Sequence, residues 1–383
     1  MAMCMGLAGI ITDIRYRLRS VRGLQGIWLS CMFLPLAALA GGGPTLPADT
    51  PVSRVPRFTA FVDVYYAYDL GHSRDDDRPR FLYQYDRHSE VDLNLGLVKV
   101  DLERERVRAA FGLMAGTYAQ ANLVGEPELL RNVFEARVGL KLCRTHDLWL
   151  DAGIFPSHIG LEGAIGIDNW TLTRSIVAEN SPYYLSGARL TWKPGARWEV
   201  AALFLNGWQR IRRVQNDIPC AGTQVLWTIR KGMKLNWSTF VGSDVPDSLG
   251  LFRAFNNLWW SWEGAQWGAQ IGLDAGMQEA VSGGDPDTWA GALVILRRNF
   301  KHGWRATARA EYYADPGQVI VPTGTPHGLT TVGYSIGLDK QVMEDMFIRF
   351  EGRTFHGVDA IYESIHGPVR ENTSFTVSMG VRF

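Results

Sequence analysis

Ser157 and His158 stand side by side with Glu162 four positions on, and these are the residue types of a nucleophile, a base and an orienting carboxylate. On an extended segment, however, adjacent side chains point to opposite faces, so the spacing argues against a working relay. An outer-membrane hydrolase is therefore only the second reading of the chain. The histidines at His72, His88, His302, His327, His356 and His366 match no zinc spacing. Asp75, Asp76 and Asp77 could gather Ca²⁺, but three consecutive carboxylates lack a ligand-spaced loop and read as a solvated run. What remains is charge. Glu162, Asp168, Arg174 and Glu179 share one long connector, while Arg137, Lys141, Arg189, Arg305, Arg309, Arg349 and Arg353 sit on periodic segments elsewhere. Opposed across a wet constriction, such groups set a transverse field that sorts ions and polar solutes by charge and dipole. Alternatively, they pair with one another and simply fill an interior. The residues assign no catalytic group, no metal and no cofactor.

The segments that must position these charges alternate with period two. In the last eleven residues Phe375, Val377, Met379, Val381 and Phe383 occupy one face and Thr376, Ser378, Gly380 and Arg382 the other. A wall between lipid and water demands this of a β-strand. Phe134, Ala136, Val138, Leu140 and Leu142 likewise oppose Glu135, Arg137, Gly139 and Lys141. Trp304, Ala306, Ala308, Ala310 and Tyr312 oppose Arg305, Thr307, Arg309 and Glu311. Met346, Ile348 and Phe350 oppose Phe347, Arg349, Glu351 and Arg353. An arginine on a lipid face at the midplane costs about 2 to 4 kcal/mol, so the charged rows must point inward, making a polar interior. Trp149, Trp192, Trp198, Trp259, Trp260, Trp289 and Trp304 fall near segment ends, where an interfacial girdle would use them.

Sixteen such runs are legible, near 57–69, 88–102, 104–118, 133–143, 147–155, 183–193, 196–207, 221–231, 233–241, 252–262, 266–278, 287–297, 303–313, 329–340, 344–354 and 372–383. Short connectors such as Glu103-Arg104, Lys231-Gly232 and Glu263-Gly264 alternate with long ones at 70–87, 119–132, 156–182, 207–220, 314–328 and 355–371. This rhythm predicts an all-β fold: a transmembrane antiparallel up-and-down β-barrel of about sixteen strands, within a range of twelve to eighteen, with short periplasmic turns and long outer loops. The barrel domain should occupy 57–383, preceded by a short periplasmic segment at 41–56.

Arg15, Arg17, Arg19 and Arg22 precede an apolar stretch from Ile27 to Ala40 that ends in Ala38-Leu39-Ala40, the pattern of a cleaved signal peptide over residues 1–40. A lipoprotein reading through Cys31 is weaker, because Trp28-Leu29-Ser30 is a poor lipobox. Removing the leader takes four basic and one acidic residue from 39 of each, leaving 35 against 38, which excludes a generally basic nucleic-acid binder. Cys143 and Cys220 fall at opposite barrel ends, too far apart to bridge.

Gly153-Ile154-Phe155-Pro156-Ser157-His158-Ile159-Gly160-Leu161-Glu162, then Asn180-Ser181-Pro182-Tyr183-Tyr184 and Leu205-Asn206-Gly207-Trp208-Gln209, resemble the OmpL-like β-barrel porin family (porin-2). The likeness runs from Tyr65-Tyr66-Ala67-Tyr68 to the end of the chain. It implies passive diffusion of small hydrophilic solutes or ions through a water-filled barrel in the bacterial outer membrane, without catalytic residues. By analogy with general porins, the connector at 156–182 would fold inward and the barrel would form a homotrimer. The terminal Phe383 resembles the signature that the barrel assembly machinery recognises. Outer-membrane lipid and lipopolysaccharide would be the other partners. A non-conducting structural or adhesive barrel is the third reading, and its lumen would be sealed.

Overall fold

A strand that shows lipid one face and water the other can satisfy its backbone only through its neighbours, and in a membrane the sheet must close to leave no edge. A computed structural model describes residues 55–72, 76–217 and 219–383. The leader, most of 41–56 and Asp75 lie outside the described residues. Within them the chain begins β1 Arg57–Asp69, β2 Val91–Glu103, β3 Val107–Ala115, β4 Val133–Lys141, β5 Asp147–Pro156 and β6 Tyr184–Gly195. It continues β7 Trp198–Leu205, β8 Cys220–Arg230, β9 Met233–Gly242, β10 Arg253–Glu263 and β11 Trp267–Gln278. The remaining strands are β12 Asp287–Asn299, β13 Trp304–Asp315, β14 Leu329–Met343, β15 Met346–Gly357 and β16 Glu371–Arg382. Each pairs antiparallel with the next, and β1 pairs with β16, Phe61 opposite Arg382 and Asp69 opposite Ser374, so the barrel closes.

All sixteen segments are where the alternation places them, with two connectors at 243–252 and 279–286 joining the long ones at the outer end. The third strand stops at Ala115 rather than 118. Gly116 follows at φ 124°, where a Cβ would lie 2.5 Å from the Asn94 carbonyl, and the chain turns into a short helix, α1 Thr117–Asn122. Cys143 sits in the turn after β4 and Cys220 opens β8 at the other end; both are free thiols.

The outward rows are apolar and exposed, as at Val138, Ile336, Phe350 and Phe375, while their strand neighbours Arg349, Glu351, Thr376 and Ser378 are buried. Trp198 and Trp227 stack at 5.3 Å, and Trp304 and Trp267 carry Lys340 and Arg298 over their rings. Trp149 and Trp289, read from sequence as girdle residues, are buried inside instead. Strand parity explains them: Trp149 shares its face with Asp151, and Trp289 with Leu293 and Ile295.

The interior is less uniformly polar than the charged rows suggest. Phe155, Leu203, Phe240, Phe255, Trp289, Leu293, Ile295 and Phe355 point inward and pack with Ile159, Trp170, Ile176 and Val177 of the chain between β5 and β6. A chain folded into a lumen leaves water like any core segment, so it needs apolar partners for its side chains and hydrogen-bond partners for its backbone.

Candidate functional site

The inner row of β11 reads Gly268, Gln270, Gly272, Asp274, Gly276, and the first two glycines are seats for the chain between β5 and β6, while the third lies under Trp289 of the wall. A Cβ on Gly268 would lie 2.5 Å from the Trp170 ring, and one on Gly272 would lie 3.4 Å from Leu161. Residues 157–183 are held in these seats by a succession of wall contacts. His158 donates from Nε2 to the Thr239 carbonyl at 2.9 Å, and its own carbonyl accepts from Ser238 Oγ at 2.7 Å. Gly160 N donates to Asn257 Oδ1 at 3.1 Å. Farther along, Arg349 donates to the carbonyls of Gly166 at 2.6 Å and Trp170 at 3.0 Å. Arg309 donates to the Thr173 carbonyl at 2.6 Å, while Thr173 donates through both N and Oγ1 to Glu351 at 2.8 Å. Ser175 then caps a one-turn helix, α2 Ile176–Glu179, whose first N–H donates to Glu311 at 2.7 Å. The inner loop thus runs from β9 and β10 round to β13 and β15. Several of its backbone groups are satisfied by wall side chains and others by bonds within the loop.

Three of the charges singled out from sequence, Arg309, Arg349 and Arg353, serve this anchorage. Arg309, Arg349 and Arg353 have side chains 0–3% exposed, and their counterions are the wall carboxylates Glu351, Asp339 and Glu311 at 2.7–2.9 Å. The carboxylates of the loop do not face them as ion partners. Glu162 accepts from Ser175 N, Ser175 Oγ and Thr171 Oγ1 within the loop. Asp168 pairs with Arg382 at 2.6 Å. Glu179 accepts from Tyr83 N at 2.9 Å and Tyr183 Oη at 2.7 Å, and burial pushes its carboxyl above the usual range. Arg174 lies 3.3 Å over the Tyr183 ring and donates to the Ala178 carbonyl. Arg305 lies over Phe347, and Lys141 is at the end of β4 opposite Trp149.

Arg137 and Arg189 belong to a second cluster on the other wall, β2 to β6. Asp151 on β5 receives Arg108 from β3 through Nε at 2.7 Å, Arg137 from β4 at 3.0 Å, and Arg189 from β6 at 3.9 Å. Glu135 binds Arg137 and Lys99, each at 2.6 Å. The side chains of Lys99, Arg108, Arg137 and Arg189 are 16–21% exposed, against almost nothing for the loop-anchoring arginines. Gly139 makes this possible, because a Cβ there would lie 2.4 Å from Asp151 Oδ1 and 2.8 Å from Arg108 Cγ. The alternation of β4 placed Glu135 inside without making it a candidate site residue, and Lys99, Arg108 and Asp151 were not singled out from sequence. Counting inward parity along β2, β3 and β5 would have found those three. Between this wall and the start of the inner loop lies a cleft of about 210 Å³, lined by Met114, Tyr118, Phe134, Leu161, Gly163 and Tyr184.

Ser157, His158 and Glu162 are not assembled into a relay. Ser157 Oγ accepts from Ile159 N at 3.1 Å, His158 faces the Thr239 carbonyl, and Glu162 is turned to Ser175.

A family described as "Putative beta-barrel porin-2, OmpL-like" matches residues 57–383. No curated protein matches the sequence. Among solved structures, the anion-selective porin of Comamonas acidovorans superposes with a TM-score of 0.55 at 10% identity, covering 86% of this chain and 99% of its own. The outer-membrane channel DcaP of Acinetobacter baumannii gives 0.57 at 8%, covering 86% and 97%. Salmonella typhi OmpF in complex with daunomycin gives 0.57 at 11%, also covering 86% and 97%. At such identities the likeness is one of fold.

Proposed function

Because this chain belongs to the OmpL-like β-barrel porin-2 family, we propose that it is an outer-membrane porin through which small hydrophilic solutes or ions diffuse passively down their gradients. The observation that carries the proposal is the asymmetry of the lumen. The β13–β15 wall buries its arginines against the inner loop, whereas the β2–β6 wall keeps four cationic side chains partly exposed. A permeating solute follows the β2–β6 wall and passes the inner loop at the cleft beside Leu161 and Gly163. Sixteen strands enclose a bore wide enough for water once side chains are in place, and the inner loop narrows it to a sieve. No chemical step and no cofactor enters this function.

Residues 1–40 are proposed as the cleaved export signal, and Phe383 as the mark read by the barrel assembly machinery, with lipopolysaccharide and lipid around the apolar rows. Homotrimer assembly is proposed with them. It is supported by the trimer form of OmpT from Vibrio cholerae, a barrel of the same fold at 9% identity and a TM-score of 0.54. An apolar hollow on the outer face, lined by Val100, Leu102, Ala109, Phe111, Ala136 and Val138, also supports it. The test of the channel is planar-bilayer recording on purified protein, where ohmic steps support it. A silent barrel that turns over an ester would favour the hydrolase, and a silent, inert one the structural barrel.

A further inference from the structure

The Asp151 cluster carries more positive charge than its carboxylates neutralise. Its ion pairs join Arg57, Lys99, Arg108, Arg137 and Arg189 to Asp101, Glu135 and Asp151, five cations to three anions. Three guanidinium groups share the single Asp151 carboxylate. Arg108 takes both of its oxygens, and Arg137 takes one of them and Glu135 as well. Arg189 is left with the longest contact, 3.9 Å, and its Nε has no hydrogen-bond partner. The Phe155 ring lies 5.1 Å beneath it. On the opposite wall Arg309, Arg349 and Arg353 each pair with a wall carboxylate, and Glu162, at the near end of the inner loop, is committed to Ser175 and Thr171.

We propose that the Arg108–Arg137–Arg189 cluster is an anion-binding station in the pore, with Arg189 the guanidinium that meets the permeating anion, and that it makes the channel anion-selective. This rests on the porin reading and names its substrate class: small inorganic or organic anions bearing carboxylate or phosphate, whose paired oxygens match the planar guanidinium fork. Asp151 acts as a positioning residue. Alone it would repel an anion. Surrounded by three guanidiniums, it fixes their planes and lowers their mutual repulsion without cancelling the net field. Gly139 leaves room for the cluster itself, since a Cβ there would run into Asp151 and Arg108. Two uncompensated charges within about a Debye length of the path bias chloride over potassium several-fold at moderate salt, and the bias fades as salt rises.

The experiment is the reversal potential across a KCl gradient for the full-length barrel in a planar bilayer. Wild type should favour chloride several-fold. Arg189→Gln, the mildest change because that side chain is least engaged, should cut the preference by about half. The triple Arg108→Gln, Arg137→Gln, Arg189→Gln variant removes three of the five cations and should reverse the sign toward potassium. Asp151→Asn, which keeps shape and adds one net positive charge, should raise the chloride preference, giving a second direction of change should the triple variant fail to fold. A conducting wild type that is unselective or prefers potassium, or variants whose reversal potential does not move, overturns the anion station and leaves the porin reading standing. A barrel that never conducts overturns both.

Discussion

Glu351 is the pin that holds the inner loop to the β15 wall, and its removal has a calculable effect. Its carboxylate is buried and accepts from Arg309 at 2.7 Å and from Thr173 N and Oγ1 at 2.8 Å. In Glu351→Ala, Thr173 N loses its acceptor, Thr173 Oγ1 loses its anionic partner, and Arg309 retains only Glu311, at 3.3 Å, as a counterion. Breaking one side of a buried, hydrogen-bonded pair costs about 3–5 kcal/mol. The barrel ladders do not involve this carboxylate, so most of that cost falls on the docked state of residues 157–183. At about 1.4 kcal/mol per tenfold, the docking equilibrium weakens ~100- to several-thousand-fold. Single-channel recordings should then show larger, noisier steps than wild type, and protease added from the outer side should cut between 160 and 175. Glu351→Gln, which still accepts from Thr173 N, should fall between the two. Unchanged conductance, noise and protease resistance in Glu351→Ala would refute the claim that this contact anchors the loop.

Phe383→Ser should lower the yield of assembled, heat-modifiable barrel several-fold without shifting the melting of what does assemble. The ring is 74% exposed and contributes little packing, whereas its backbone pairs with Ala60 whatever the side chain; an unchanged yield would count against the assembly role. Gly139→Ala forces a methyl group against Asp151 and Arg108, a crowding cost of about 1–3 kcal/mol, so the barrel should melt several degrees lower and lose chloride preference. Hydrogen bonds from Thr145 and His146 pull the Cys143 thiol, in the exposed turn after β4, down to about 6. It is thiolate at neutral pH, so alkylation should rise through pH 6 and level off by pH 7. In the double Thr145→Val, His146→Ala variant the midpoint should move up toward the ordinary thiol value of about 8.5, and buried Cys220 should stay unlabelled in both.

The barrel was legible because lipid on one side and water on the other impose a period of two on every crossing segment, as in β13 and β15, where each inward residue was assigned correctly. The connectors at 243–252 and 279–286 escaped notice because they are short for outer loops. The inner loop was harder to read. Arg349 and Arg309 grip it through the carbonyls of Gly166, Trp170 and Thr173, and a backbone carbonyl leaves no mark on residue type. Glu162 and Glu179 are not ion partners of Arg309, Arg349 or Arg353, because Glu311, Asp339 and Glu351 lie nearer on the same sheet; Asp168 does pair with a wall arginine, Arg382, which was not among the candidates. The Asp151 cluster draws on β3, β4, β5 and β6 at once. Only the registers that set Arg137 opposite Gly153 and Asp151 opposite Arg189 bring it together.

The measurement closest to the central claim is unitary conductance in symmetric KCl for wild type beside a variant with residues 160–175 replaced by a short Gly-Ser linker. If water fills the bore and the inner loop narrows it, wild type gives small, stable, ohmic steps and the loop variant gives larger ones. Silence from wild type, or equal steps from both, would contradict it.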